Sequence, residues 1–437
     1  MDTPYEGYPP PSADPSPSQG KPGWLRDVVL YLTAQSLSLT GSSIVGFAVV
    51  WYVALKTGSG GQYAVLLISS SLAMALTTIP GGVWADRYWR KALIMGADAS
   101  VAVITLALAV LMLNGFESLW LIAVALALRG LGGGVQAPAV SAALPQLTPA
   151  DKLMRVNSIN QTIAALTQIV APALAAVLLT FWPLGWILMV DVATAVVAIA
   201  VTSLIRIPRL RLDPDAPKPV GLSGFFAHQG EAVRFAWGIP GLRRTLAVLV
   251  LLMGVIIPFA AMTPVFVVRL YGPEQWMLAA AEMVWSVGMV VGGLAIAVWG
   301  GLRNRMAMIM IATIATAATA MAMGFMPTIW WFLVVMAAQG LSLPMFETPA
   351  VTALQENIPE ELMGRMMAFV TLVISVSTPI GMAVIGPLSD VLDLSWMAFA
   401  CGAAGLAYLL VLVARGGPGS KLYPPDVPES DEAAELR

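Results

Sequence analysis

The chain has 437 residues, 58% of them hydrophobic and 11% charged, with a formal net charge of −2 and a mean hydropathy of +0.80. A soluble domain carries about 25% charged residues; this composition excludes one, and the near-zero charge gives no basis for nucleic-acid binding. A single cysteine, Cys401, and a single histidine, His228, exclude an intrachain disulfide and argue against a thiol or histidine metal centre.

Residues 1–23 are rich in Pro and Ser and too polar to order themselves, so they read as a disordered tail. A membrane-spanning helix needs about 20 mostly apolar residues. Twelve stretches satisfy this: 27–54, 62–84, 92–113, 118–145, 155–181, 184–205, 243–270, 276–299, 305–325, 328–354, 365–389 and 394–414. The predicted fold is an all-α membrane protein of twelve transmembrane helices. The first six form one half (24–205) and the last six another (243–415), joined by a loop over 206–242. In that loop, residues 222–237 place Leu222, Phe225, Phe226, Val233, Phe235 and Trp237 among polar groups, as in a surface-lying amphipathic helix or a plain tether. Residues 416–437 form a second, acidic tail.

Polar residues inside the spans are the candidates for chemistry, because ionisable groups in a bilayer are costly. In the first span, Gln35, Ser38 and Ser42 read as cavity-facing, and Asn160 and Gln161 do so in the fifth. Gln136 and Gln339 join them on the fourth and tenth. The competing reading is hydrogen bonding between helices. Asp98, Arg129, Asp191, Glu282 and Glu347 are the charged residues within spans. A carboxyl in low dielectric can load and release a proton near neutral pH, as proton coupling requires. For Asp98 and Asp191 the alternative is a hydrogen bond to a neighbouring helix. For Glu347 it is a static pair with Arg365 or Arg155. Arg129 lies near mid-span and needs a carboxylate or a water-filled cavity beside it.

The loop between the second and third spans carries Gly82, Asp86, Arg87, Arg90 and Lys91. Gly82 allows close helix approach, and the charges suit contacts with neighbouring helix ends that hold one face shut. Asp86 and Arg90 are assigned to the gate, Arg87 and Lys91 to topology. All Lys and Arg residues except Lys56, Arg269 and the in-span Arg129 fall in connections on one side, which the positive-inside rule makes cytoplasmic. Both termini are then cytoplasmic and the number of spans even. The two halves also echo each other. Gln136-Ala137-Pro138-Ala139-Val140-Ser141-Ala142 matches Glu347-Thr348-Pro349-Ala350-Val351-Thr352-Ala353, Arg129-Gly130-Leu131 matches Gln339-Gly340-Leu341, and Gly81-Gly82 matches Gly292-Gly293. A duplicated six-helix unit with a pathway between the copies is a transporter architecture.

The loop Gly82-x-x-x-Asp86-Arg87-x-x-Arg90-Lys91 resembles the one after the second helix of major facilitator superfamily transporters, with Trp89 where many members have glycine. Arg129-Gly130-x-Gly132 is similar to the family's fourth-helix motif, whose Arg is linked to proton coupling. The segment from Gln229 to Arg243 and Met363-Gly364-Arg365-Met366 resemble the branch containing macrolide and enterobactin exporters. The resemblance implies a monomeric, multi-pass plasma-membrane exporter of amphipathic organic molecules such as drugs, macrolides or siderophores. It would use no cofactor except the proton gradient. The gating candidates are Gly82, Asp86, Arg87, Arg90, Lys91 and Arg365, and protons would be coupled through Arg129 with Glu282 or Glu347. Two other readings remain: a lipid, lysolipid or nutrient transporter of the same fold, and a receptor or scaffold that moves nothing. No phosphate loop or paired nucleophile and base points to an enzyme.

Overall fold

The computed structural model describes residues 23–208, 260–302, 304–358 and 360–414, with isolated positions between 234 and 250. The expected tails over 1–22 and 416–437, most of the central loop and residues 251–259 of the seventh span lie outside the described residues. Within them the chain is helical: α1 (Trp24–Thr57), α2 (Gly60–Arg87), α3 (Arg90–Leu113), α4 (Leu119–Leu147), α5 (Leu153–Phe181), α6 (Leu184–Leu204), α7 (Thr263–Tyr271), α8 (Gln275–Trp299), α9 (Arg305–Met323), α10 (Ile329–Asn357), α11 (Glu360–Val391) and α12 (Leu394–Ala414). Ten of these helices are long and apolar enough to cross a membrane.

Several helices overrun the apolar stretches that announced them, because a helix end can project into the polar interface while keeping its internal hydrogen bonds. The clearest case is α2. The charged connection expected after residue 84 is helical through Arg87, and only Tyr88 and Trp89 separate it from α3. Prolines stand inside α2, α4, α5, α10 and α11. Membrane helices tolerate them because neighbouring groups satisfy the freed carbonyls. Many in-span hydroxyls satisfy themselves on the carbonyl four residues back, among them Ser69 on Val65, Thr78 on Met74 and Thr105 on Val101.

We call the face carrying Trp24 and Ala414 the terminal face, and the other the opposite face. In the first half α2 packs on α4, α3 on α4 and α6, and α1 on α5 and α6; in the second, α8 packs on α10 and α9 on α10 and α12. The duplication is visible in the glycine contacts. A Cβ on Gly130 would stand 2.3 Å from the Ser70 carbonyl oxygen, and one on Gly340 would stand 2.2 Å from that of Trp285. Gly81 and Gly292 repeat the pattern, each 2.6 Å from a facing carbonyl oxygen (Gly134 and Leu341), whereas Gly82 and Gly293 meet open space. Close helix approach therefore belongs to Gly81 rather than to Gly82, a one-residue shift that turns the glycine about 100° around the helix.

This gives a test. Gly81→Ala should destabilise by about 1–3 kcal/mol through overpacking against backbone. Gly82→Ala should be neutral or stabilising by up to about 1 kcal/mol, since alanine is the better helix former. Reversible unfolding in mixed micelles measures both, and equal effects would refute the assignment.

Contacts between the halves run through α2 with α11, α5 with α8 and α1 with α7. The apolar cores show how the halves meet. One cluster joins Ala54 and Tyr63 of the first half to Phe266 and Ile385 of the second, toward the opposite face. Toward the terminal face the clusters are separate: Ile94, Ala143 and Val156 belong to one, Ile309, Phe346 and Leu354 to another. Among the described residues the buried core shared by the halves lies toward the opposite face, and the clusters toward the terminal face each belong to one half.

Candidate functional site

At the terminal end of α2 and α3, the loop cations bind helix ends of their own half. Arg90 donates from Nε to the Ala85 carbonyl (2.9 Å) and from Nη1 to that of Ala142 on α4 (2.8 Å). Lys91 Nζ donates to the carbonyls of Ser203 and Ile205 at the end of α6 (2.7 and 2.8 Å), where a cation complements the helix dipole. Lys91, assigned to topology from the sequence, thus also ties α3 to α6. The Trp89 indole donates to Ile207 O at 3.0 Å. Asp86 lies 3.6 Å from Arg90 and its side chain is 78% exposed, and Arg87 is exposed as well. Among the described residues Asp86 has no partner in the second half. The side chain of Arg365 lies outside them.

Arg129 sits on α4 ten residues from Leu119, about 15 Å below the opposite face at 1.5 Å per residue. Its Nη1 pairs with Asp191 Oδ2 of α6 and contacts Thr105 Oγ1 of α3, while Ser42 of α1 donates to Asp191 Oδ1 at 2.9 Å. The Arg129 and Asp191 side chains are 9% and 1% exposed. Four helices of one half therefore converge on one buried ion pair. The carboxylate that Arg129 was expected to need is Asp191, and Glu282 and Glu347, named beside it for proton coupling, make no pair with it. Asp191 lies seven residues from the start of α6, a depth the long Arg side chain reaches without leaving its own half.

Asp98 on α3 is 3% exposed and accepts at Oδ1 from Ser38 and Gln136, each at 2.7 Å. Its Oδ2 has no partner, nor has the Gln35 amide nitrogen, and no cation pairs with Asp98 among the described residues. Ser38, Ser42 and Gln136, read as cavity-facing, thus hold the two aspartates inside the first half. Asn160 is half-buried and Gln161 exposed on the terminal half of α5. The cavity there, of about 860 Å³, lies between α1 and α5, with Thr33, Ser36 and Thr40 inside and Lys152 and Arg155 among its lining. Glu347 is exposed and makes no ion pair with Arg155.

Glu282, seven residues into α8, forms a wall shared by two cavities. One, of about 300 Å³, lies against α1, α2 and α4 of the first half; the other, of about 250 Å³, lies among α7 to α10 of the second and includes Gln339. Gln339 is 5% exposed and its amide oxygen has no partner.

Sequence reasoning missed the junction that closes the opposite face. Arg269, at the end of α7, donates to the Gly58 and Ser389 carbonyls (2.7 and 2.5 Å) and to Asp390 Oδ1 at 2.6 Å. Asp390 of α11 in turn accepts from Ser59 Oγ and from the Gly60 and Gly61 amides at 2.7, 2.8 and 2.9 Å. A carboxylate from one half thus caps the N-terminus of α2 in the other, where orphan amides and the helix dipole favour an anion. Glycine is needed here, since a Cβ on Gly60 would stand 1.8 Å from Ser389 Oγ. The available signal was Arg269 itself, an unexplained cation on the cation-poor side. Nearby, a bond from the Lys56 ammonium holds the Glu117 carboxyl in the α3–α4 connection below its ordinary pKa.

A sequence profile of the major facilitator superfamily matches residues 31–307 and 275–435. The chain belongs to the major facilitator superfamily. Its curated relatives include macrolide efflux protein A of Streptococcus pyogenes, 27% identical over 363 residues, covering 82% of this chain and 87% of that protein. The enterobactin exporter EntS of Salmonella choleraesuis is 27% identical over 395 residues, covering 87% and 90%. Among solved structures, a POT family transporter in complex with 5-aminolevulinic acid superposes with a TM-score of 0.69 at 11% identity, covering 91% and 98%. This major facilitator is a multi-pass membrane transporter and not an enzyme.

Proposed function

We propose that this transporter is a proton-coupled exporter of amphipathic organic molecules, with twelve crossings, cytoplasmic termini and a single chain as the working unit. The observation that carries the coupling is the pair of embedded carboxyls without a cation partner among the described residues, Asp98 in the first half and Glu282 in the second. A lone carboxylate is costly in a bilayer, and taking a proton removes the cost. The exporter direction rests on the relatives, macrolide efflux protein A and EntS. The terminal face, which carries most of the cations, is then cytoplasmic. The cavity between α1 and α5 admits substrate from that side, and rocking of the halves passes it to the other.

Purified protein in liposomes with an imposed pH gradient tests this. Substrate movement should follow the gradient, and Asp98→Asn should move substrate without responding to it. Movement of every tested drug, macrolide and siderophore indifferent to the gradient would refute coupling.

A further inference from the structure

We propose that Glu282 and Gln339 hold the protonated amine head of the transported molecule, so that the substrates are organic ammonium ions with an apolar body. This rests on the exporter reading and narrows its substrate class. The two cavities that meet at Glu282 are lined without a single Lys or Arg, and among the described residues the carboxylate has neither an ion pair nor a hydrogen bond. The missing countercharge must then come from a proton or a ligand. The walls suit an ammonium ion. Phe47 and Trp51, with ring centroids 5.4 Å apart, and Tyr63 line the first cavity, and Trp285 the second. Aromatic faces attract a desolvated cation. The unpartnered amide oxygen of Gln339 supplies an acceptor for the N–H that a protonated amine carries and a quaternary ion lacks.

The volumes, about 300 and 250 Å³, lie at and just below the lower end for ligand pockets and suit a head group rather than a whole drug-sized molecule. Glu282 lies seven residues into α8, about 10 Å below the opposite face, which also carries the Arg269–Asp390 pair. Tyr63 is the other titratable group lining either cavity, and it carries no positive charge to replace the ligand's.

The test measures equilibrium binding to the purified full chain in nanodiscs, with no gradient. The probes share one shape: benzyldimethylammonium, benzyltrimethylammonium and the neutral neopentylbenzene. Both cations should bind at least about tenfold more tightly than the neutral probe, the ratio expected for about 1.4 kcal/mol. Glu282→Gln should abolish that preference while leaving the unfolding midpoint in place. Gln339→Leu should weaken the protonated amine and spare the quaternary ion. Equal binding of the neutral probe, or cation binding unchanged in Glu282→Gln, overturns the proposal. Glu282→Asp, which keeps the charge, should retain the preference; if it folds and loses the preference with Glu282→Gln intact, the proposal also fails. Cation-selective binding with no transport in liposomes would refute only the exporter reading. Gradient-driven transport of neutral or anionic molecules untouched by Glu282→Gln would refute only the amine site.

Discussion

Arg129→Ala should destabilise the protein by about 3–5 kcal/mol, because removing one member of a buried pair strands the other charge. Asp191 would be left 1% exposed with only the Ser42 and Thr105 hydroxyls to hold it. Asp191→Asn should cost a similar amount for the converse reason. The joint replacement Arg129→Leu, Asp191→Leu should recover most of the loss, since no charge remains buried alone. Reversible unfolding of the four proteins in mixed micelles measures the cycle. The pair would be energetically idle if each single replacement cost less than about 1 kcal/mol. The same cycle separates the expected role of Arg129 in proton coupling from a structural one. If the joint variant folds and still transports in response to a gradient, Arg129 is a positioning residue for its half.

The second large effect is expected at the opposite face. Arg269→Ala removes three hydrogen bonds that tie α7 to Gly58, Ser389 and Asp390. Charge-assisted bonds contribute about 1.5–3 kcal/mol each when shielded. These side chains are about 30% exposed, 29% for Arg269 and 32% for Asp390, so a total near 1.4 kcal/mol is the working figure. That corresponds to about a tenfold shift toward the state open at this face. Spin labels at the ends of α6 and α12 nearest this face should show the longer inter-half distance gaining population. Asp390→Asn should move it the same way, since the α2 amides would lose their anion. Gly60→Ala should do so by a different route, by wedging the helices apart rather than removing a bond. Unchanged distance distributions in all three would mean that the junction does not hold this face shut.

Much of the architecture was legible in the chain because a bilayer imposes a long-wavelength signal. Helices must be about 20 apolar residues long, and most of the described ones fall where the apolar stretches are. The family-level loop, the duplicated Gly-Leu and Pro-Ala segments and the in-span charges were legible for the same reason, since a charge in an apolar run has no camouflage. The Gly81 assignment was not. It depends on the rotation of α2 against α4, and one residue turns a contact into open space. The partner of Arg129 was hidden too. Nothing along the chain ranks Asp191 above Glu282 or Glu347, because pairing depends on which helices are neighbours at equal depth.

By itself, then, the sequence determined that this protein lives in a membrane, that it is built from two related halves and which side chains are too costly to be there without a purpose. It did so through hydropathy and cost of charge, which are properties of single residues and segments. Only the tertiary structure decided that Arg129 and Asp191 satisfy each other while, among the described residues, Asp98 and Glu282 have no cation. It also decided that Asp390 caps a helix 330 residues away at Gly60, and that the described halves share an apolar core toward the opposite face. Each of these depends on the rotation, depth and neighbours of packed helices, quantities that a one-dimensional pattern of apolar and polar residues does not contain.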